Sequence, residues 1–348
     1  MTNSIKEKIA WEVIRVLVTR FESFPEDAST NRNAPFHEAF LNAFEDDFAG
    51  KVSDVSFFIT LSSWLQGLNT TLGQTFFENV AQILCDGEKR EYTSKKLGNL
   101  KISRDQKSSI NSIMTELSNS ISEPDVTAEN KKLIEMSKGE DLVNSIDFSA
   151  DVYFEDDEKV VAIELKSVKP NSGEMRGEKH KILEGKAALS RKFRDKKIHF
   201  YIGFPFDPTS EESTSYNKER FLESIINMNK YFDSNETLLS SELWDFLSGE
   251  ENTMEKILDI INIIATKEFT KKYQKLNNGL ERNSKAYLEI LEEWYLFSEL
   301  ELCSNYTLLT EKVKGDKKLT KILNKHCFDN KGKYIQERFF ELSPLISK

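Results

Sequence analysis

Thiol chemistry has little to work with in these 348 residues. The three cysteines, Cys85, Cys303 and Cys327, are far apart and form no C-x-x-C pair. That argues against a disulfide framework and a zinc site, and makes a reducing cytoplasm the simplest compartment. The four histidines, His37, His180, His199 and His326, show no metal-ligand spacing either. No apolar run approaches the roughly 18 residues that span a bilayer. The opening stretch MTNSIKEKIAWEVIRVLVTRFESF is interrupted at helical spacing by Glu7, Lys8, Glu12 and Arg15. It reads as an amphipathic helix rather than a signal sequence. There is no internal repeat and no low-complexity tract.

What is present is a globular composition: 39% hydrophobic, 11% aromatic and 30% charged residues. The length allows one large domain or two ordinary ones. A net charge of −10 argues at first against a nucleic-acid partner, whose phosphates would be repelled. The average hides a basic segment, however. From Lys166 to Lys197 there are eleven Lys or Arg against four Asp or Glu. Taken alone, such a run is a solvated helix face; its position behind the stretch described next gives it another meaning.

Apolar periodicity along the chain predicts helices at 4–23, 54–66 and 72–85, with Asn69-Thr70-Thr71 as a cap between the last two. Weaker helical signals follow at 106–121 and 128–143. The period then changes to two, and strands are expected at 148–155, 160–168 and 197–205, with a basic helix at 174–195 between the second and third. From residue 217 onward helices dominate, at 217–232, 240–247, 252–275, 279–302 and 308–325. The fold class expected is α/β, with helical additions at both ends. The aromatic pairs, such as Phe57-Phe58 and Trp294-Tyr295, sit at helical spacing and read as core.

The stretch DFSADVYFEDDEKVVAIELKSVKPN, residues 147–171, places charges where a buried strand would exclude them. Glu164 and Lys166 share one strand face, with Val161, Ile163 and Leu165 on the other. A turn centred on Asp156-Asp157 sets Asp151 opposite roughly 162 to 164, so Asp151 and Glu164 become cross-strand neighbours with Lys166 nearby. Two facing carboxylates repel unless a cation lies between them, and a hard divalent ion, Mg²⁺ by preference, suits oxygen ligands. Such a site fits phosphodiester hydrolysis. Lys166 would either orient a water or stabilise charge on the transition state. The same residues would also fit an exposed hairpin with ordinary cross-strand ion pairs. A Glu/Asp-x-Lys triplet recurs elsewhere in the chain; only this one lies in an apolar β run.

Asp151 followed by Glu164-Leu165-Lys166 resembles the PD-(D/E)xK nuclease signature of Type II restriction endonucleases, with Ala150 in place of the usual proline. The string IELKSVKPNSGEMRGEKHKILEGKAAL is similar to the TdeIII-type restriction endonucleases. So are APFHEAF (34–40), TTLGQTFFE (70–78) and LWDFLSGEENT (243–253). These blocks together cover about residues 31 to 260. The resemblance implies a restriction-endonuclease-like core: a mixed central sheet flanked by helices. It implies Mg²⁺-dependent cleavage of double-stranded DNA at a short sequence, leaving 5′-phosphates. A homodimer and a DNA methyltransferase encoded nearby are also implied.

Carried onto matching positions, Asp151 and Glu164 would ligate the metal with the backbone carbonyl of Leu165, and Lys166 would be catalytic. Glu78 is the candidate for a glutamate from the first core helix, against an equal reading as an ordinary helix-surface residue. Lys169, Asn171, Glu174, Arg176, Lys179, Lys186 and Arg191 would line the DNA-binding face, holding backbone phosphates. The expected organisation is an N-terminal helix at 1–30, a nuclease core at 31–250 and a helical region at 251–348. Two other readings remain: a structure-selective repair or junction nuclease of the same fold, and a non-catalytic DNA-binding module.

Overall fold

A computed structural model describes residues 1–26, 35–41, 48, 51–52, 54–166 and 172–346. The chain divides into two compact units. One is Phe77–Ile257, joined by Met1; the other combines Thr2–Phe76 with Leu258–Lys348. The described N-terminal residues as far as Phe76 thus group with the C-terminal helices.

Among the described residues, the Phe77–Ile257 unit has seven strands: β1 (Glu88–Tyr92), β2 (Lys101–Ser103), β3 (Leu142–Asn144), β4 (Phe148–Glu155), β5 (Lys159–Leu165), β6 (Lys197–Phe204) and β7 (Thr237–Leu239). Five of them form one mixed sheet in the order β1-β4-β5-β6-β7, and β2 and β3 pair separately. The β1–β4 and β4–β5 pairs are antiparallel, while β5–β6 and β6–β7 are parallel. Val160, Val161, Ala162 and Ile163 are all buried, as expected of a strand covered on both faces.

The crossover from β5 to β6 is the 21-residue helix Ser172–Lys192. It packs Met175, Ile182, Leu183, Ala187 and Leu189 against Phe148, Phe200 and Ile202 in the main core. Gly185 lets it sit close to the sheet, because a Cβ there would lie 2.5 Å from the Phe200 ring. The helix Arg104–Ser118 opens with a reciprocal capping box between Ser103 and Gln106. It adds Ile110, Ile113, Met114 and Leu117 to the same core.

In the other unit, Asn3–Glu22 is capped by Thr2. The Val55–Thr71 helix does not stop at the expected Asn69–Thr71 cap. It runs into a π-helical turn, Leu72–Phe76, because the backbone amide of Leu72 still finds helical carbonyls at Leu68 and Asn69. Toward the C-terminus, Leu302, Leu309, Val313, Ile322, Leu323 and Leu342 close a small core of their own. Arg338, fully buried, meets Glu299 with two hydrogen bonds, of 2.7 and 3.2 Å. No helix among the described residues is long and apolar enough to cross a membrane.

Candidate active site

Register builds the site. Val152 stands opposite Ile163, so one step back along the ladder brings Asp151 opposite Glu164. Both carboxylates are buried, at 8% and 7% exposure. The backbone amide of Leu165 donates to Asp151 Oδ2 at 3.0 Å, which fixes the carboxylate's direction. On its other side β4 carries a bulge: Glu88 pairs with Tyr153 and Arg90 with Ala150, leaving Asp151 and Val152 together opposite Lys89. Such bulges re-aim side chains. Here the bulge brings Lys89 Nζ to 2.9 Å from Asp151 Oδ1, and Gln82 donates to the Asp151 carbonyl at 2.8 Å.

Glu78 enters through the same lysine. It lies in the first turn of the helix Phe77–Cys85, and its Oε2 is 2.9 Å from Lys89 Nζ. Glu78 and Gln82 are four residues apart on one helical face. The turn from this helix into β1 needs Gly87, since a Cβ there would meet the Tyr153 carbonyl at 2.8 Å.

Glu164 faces two lysines. Its Oε1 is 2.8 Å from Lys181 Nζ and 3.3 Å from Lys166 Nζ. Its Oε2 is buried and has no hydrogen-bond partner among the described residues. Lys166 is drawn further toward Glu178, at 2.9 Å, and Glu174, at 3.6 Å.

The charges perturb one another in ways that limit the chemistry. Burial raises the Glu164 carboxyl above its ordinary range, and Asp151 adds to that, while Lys181 and Lys166 pull it back. Glu78 is also raised, by burial first; the hydrogen bond from Lys89 opposes this and Asp151 reinforces it. Burial alone would lower Lys166, but Glu164, Glu178 and Glu174 outweigh it and hold the ammonium above its usual value. Lys89 follows the same logic, with Glu78 and Asp151 as its partners. With these carboxylates around them both lysines are held in the ammonium form, from which Lys166 can donate.

A divalent cation fits these residues. The donors are hard oxygens, and one of them, Glu164 Oε2, is buried and unused. Among the described residues no three His, Cys, Asp or Glu side chains gather into a ready cage.

The expected DNA-binding face needs correction. Met175, Lys179, Ile182, Lys186 and Leu189 recur at helical spacing along the inward side of Ser172–Lys192, so both lysines are interior, at 0% and 3% exposure. Lys179 pairs with Glu129 at 2.7 Å and with Glu236, and Lys186 reaches Glu236 at 2.9 Å. Their charge is consumed inside the fold and is not available to phosphates. Arg191 is likewise turned to backbone, donating to the carbonyls of Ser137 and Gly139. Arg176 is exposed. Glu174 is placed beside Lys166 rather than among phosphate-binding cations. Lys169 and Asn171 lie outside the described residues.

A mixed sheet flanked by helices, with a helical crossover behind the charged hairpin, is the restriction-endonuclease-like α/β fold. Two comparisons extend this. The model of the Type II restriction endonuclease family HinfI matches residues 1–265. The chain is also 43% identical to the Type II restriction enzyme MjaII of Methanocaldococcus jannaschii, over 373 aligned positions covering 100% of this chain and 98% of the relative. No solved structure matches.

The chain belongs to the HinfI family of Type II restriction endonucleases. It is a sequence-specific DNA endonuclease. The family shown is HinfI; the TdeIII-type affinity expected from the sequence blocks is not part of that match.

Proposed function

We propose that this restriction endonuclease is a Mg²⁺-dependent enzyme of the PD-(D/E)xK type, to which its TdeIII-like sequence blocks also point. In this reading it cuts both DNA strands at a short sequence and leaves 5′-phosphates. The observation that carries the reading is the buried, unpartnered Glu164 Oε2 beside Asp151, on the strand that also bears Lys166.

Asp151 and Glu164 would hold the ion, with the Leu165 backbone at the end of β5 beside them. When bound, the ion supplies charge neutralisation at the scissile phosphate and acidifies a water. The chain's own groups do the rest. The Leu165 amide and Lys89 keep the Asp151 carboxylate in one orientation. Lys166, protonated and held by Glu178, donates toward the negative charge that grows on the phosphorane-like transition state. Glu78 acts through Lys89, which it shares with Asp151.

A homodimer would match a palindromic site by its own two-fold symmetry. A partner methyltransferase protecting that site, and a cytoplasmic location, complete the reading. Digestion of a sequenced plasmid with Mg²⁺, followed by mapping of the ends, is the test. Discrete fragments with 5′-phosphates, dependent on Mg²⁺, are expected. Ends bearing 3′-phosphates, or undiminished cutting in EDTA, would sink it.

A further inference from the structure

The lysines of the helix after β5 are largely consumed inside the fold, yet another part of the chain carries lysines that are not. From Lys312 to Lys333 there are eight lysines, two aspartates and no glutamate, in a chain of net charge −10. An ordinary solvated surface mixes both signs evenly; here lysine outnumbers acid four to one within the segment, and Glu337 and Glu341 of the last helix answer only two of its lysines. The matching family model ends at residue 265, so it says nothing about this segment.

Lys314, Lys317, Lys321, Lys331 and Lys333 are exposed. Among the described residues none of them has an acidic partner within 4.0 Å, whereas Lys318 and Lys325 pair with Glu341 and Glu337. Lys317 and Lys321 recur at i and i+4 on one face of the helix Lys317–Leu323, and Lys314 lies in the turn that precedes it. The opposite face, Ile322 and Leu323, is fixed in the small core with Leu302, Leu309, Val313 and Leu342. Arg338 donates to the carbonyls of Ile322, Leu323 and Lys325, and Arg282 to those of Leu323 and Lys325. The lysine stripe thus stands on a braced support.

Helix stability does not explain these charges. Lys317 and Lys318 occupy the first turn, where cations oppose the helix dipole. Glu341 answers Lys318, whereas Lys317 has no acidic partner within 4.0 Å among the described residues. The enzyme's substrate is a polyanion. Lys317 and Lys321 are about 6 Å apart along the helix axis. Each DNA strand presents a charge about every 3.4 Å along the duplex, so neighbouring phosphates lie within reach of both.

We propose that the lysine stripe Lys314-Lys317-Lys321, with Lys331 and Lys333 of the following loop, is a second DNA-backbone surface that contributes affinity without reading sequence. The proposal rests on the chain acting on DNA and is independent of which residues cut it.

The test uses the full-length enzyme and a short fluorescein-labelled duplex of arbitrary sequence, in EDTA, with anisotropy followed across a salt series. The variant K314Q/K317Q/K321Q should lower the slope of log affinity against log salt by up to about 2.7, at about 0.9 for each phosphate no longer neutralised. K331Q/K333Q should lower it by up to about 1.8 on the same basis. A control variant, K95Q/K131Q/K138Q, removes three exposed lysines elsewhere and should leave the slope near that of wild type. Equal slopes and affinities for wild type and both stripe variants would overturn the proposal. So would an equal fall in the control, which would mean that only total charge matters. Unchanged melting temperatures verify that each variant is folded.

Discussion

The Leu165 amide donates to Asp151 Oδ2 at 3.0 Å, so the carboxylate of one strand is aimed by the backbone of the next. Asparagine retains an oxygen for that bond while losing the charge. Asp151→Asn should therefore fold normally and bind DNA, yet cut at least about 10²-fold more slowly, the scale on which removing a charge-positioning group acts. Circular dichroism, duplex binding and single-turnover cleavage, measured together, check all three parts.

Lys89 lies between Glu78 and Asp151 at 2.9 Å from each. Without it the buried Asp151 carboxylate and the half-buried Glu78 carboxylate face each other with no cation between them. Lys89→Met should lower the stability of the metal-free protein by roughly 1 kcal/mol, a modest figure because the lysine is partly solvated. In EDTA the melting temperature should fall by about 2–4 °C. Added Mg²⁺ should restore most of the loss. A fall of equal size with and without Mg²⁺ would mean that Lys89 is only a packing residue.

Glu236 is bound by Lys179 and Lys186 inside the fold. Removing it leaves two buried ammonium groups short of a partner, and Glu236→Ala should destabilise by about 3–5 kcal/mol. Burial by itself would raise this carboxyl, but the two lysines outweigh it and hold it below its ordinary range. A depressed carboxyl stabilises the fold fully above its unfolded value of about 4.3. That contribution is lost as pH falls through the folded-state value. Urea unfolding from pH 7 to pH 3 should show a steeper acid loss for wild type than for Glu236→Gln.

Gly185 lets the helix Ser172–Lys192 lie close over Phe200. Even a methyl group would enter the ring's space, so Gly185→Ala should cost about 1–3 kcal/mol through overpacking. Its urea midpoint should drop with an unchanged slope, and Phe200→Leu should recover part of the loss by making room.

Much of the fold is legible because its signals are local. The period-two run at 148–165 and the helical run behind it mark β4, β5 and the crossover within a few residues. Asp151 opposite Glu164 follows from the turn position alone. β1 escapes a sequence reading because its residues, EKREY, have no apolar alternation; it is held by pairing with β4, far along the chain. Lys89 escapes with it. Glu78 and Gln82, at i and i+4 on one helix, are the one local hint that this helix face turns toward the hairpin. Lys179 and Lys186 mislead for a physical reason. A charge count sees cations, while only the helical phase shared with Met175, Ile182 and Leu189 reveals that they point inward.

Lys166 is the residue on which the catalytic reading turns, since its ammonium lies 3.3 Å from Glu164 and is held by Glu178. The most direct measurement is single-turnover cleavage of plasmid DNA with Mg²⁺ by wild type, Asp151→Ala, Glu164→Ala and Lys166→Ala, alongside duplex binding by each. Cleavage reduced at least about 10²-fold in every variant, with binding retained, is expected. Cutting at the wild-type rate by all three would contradict the assignment and place the reaction elsewhere in the chain.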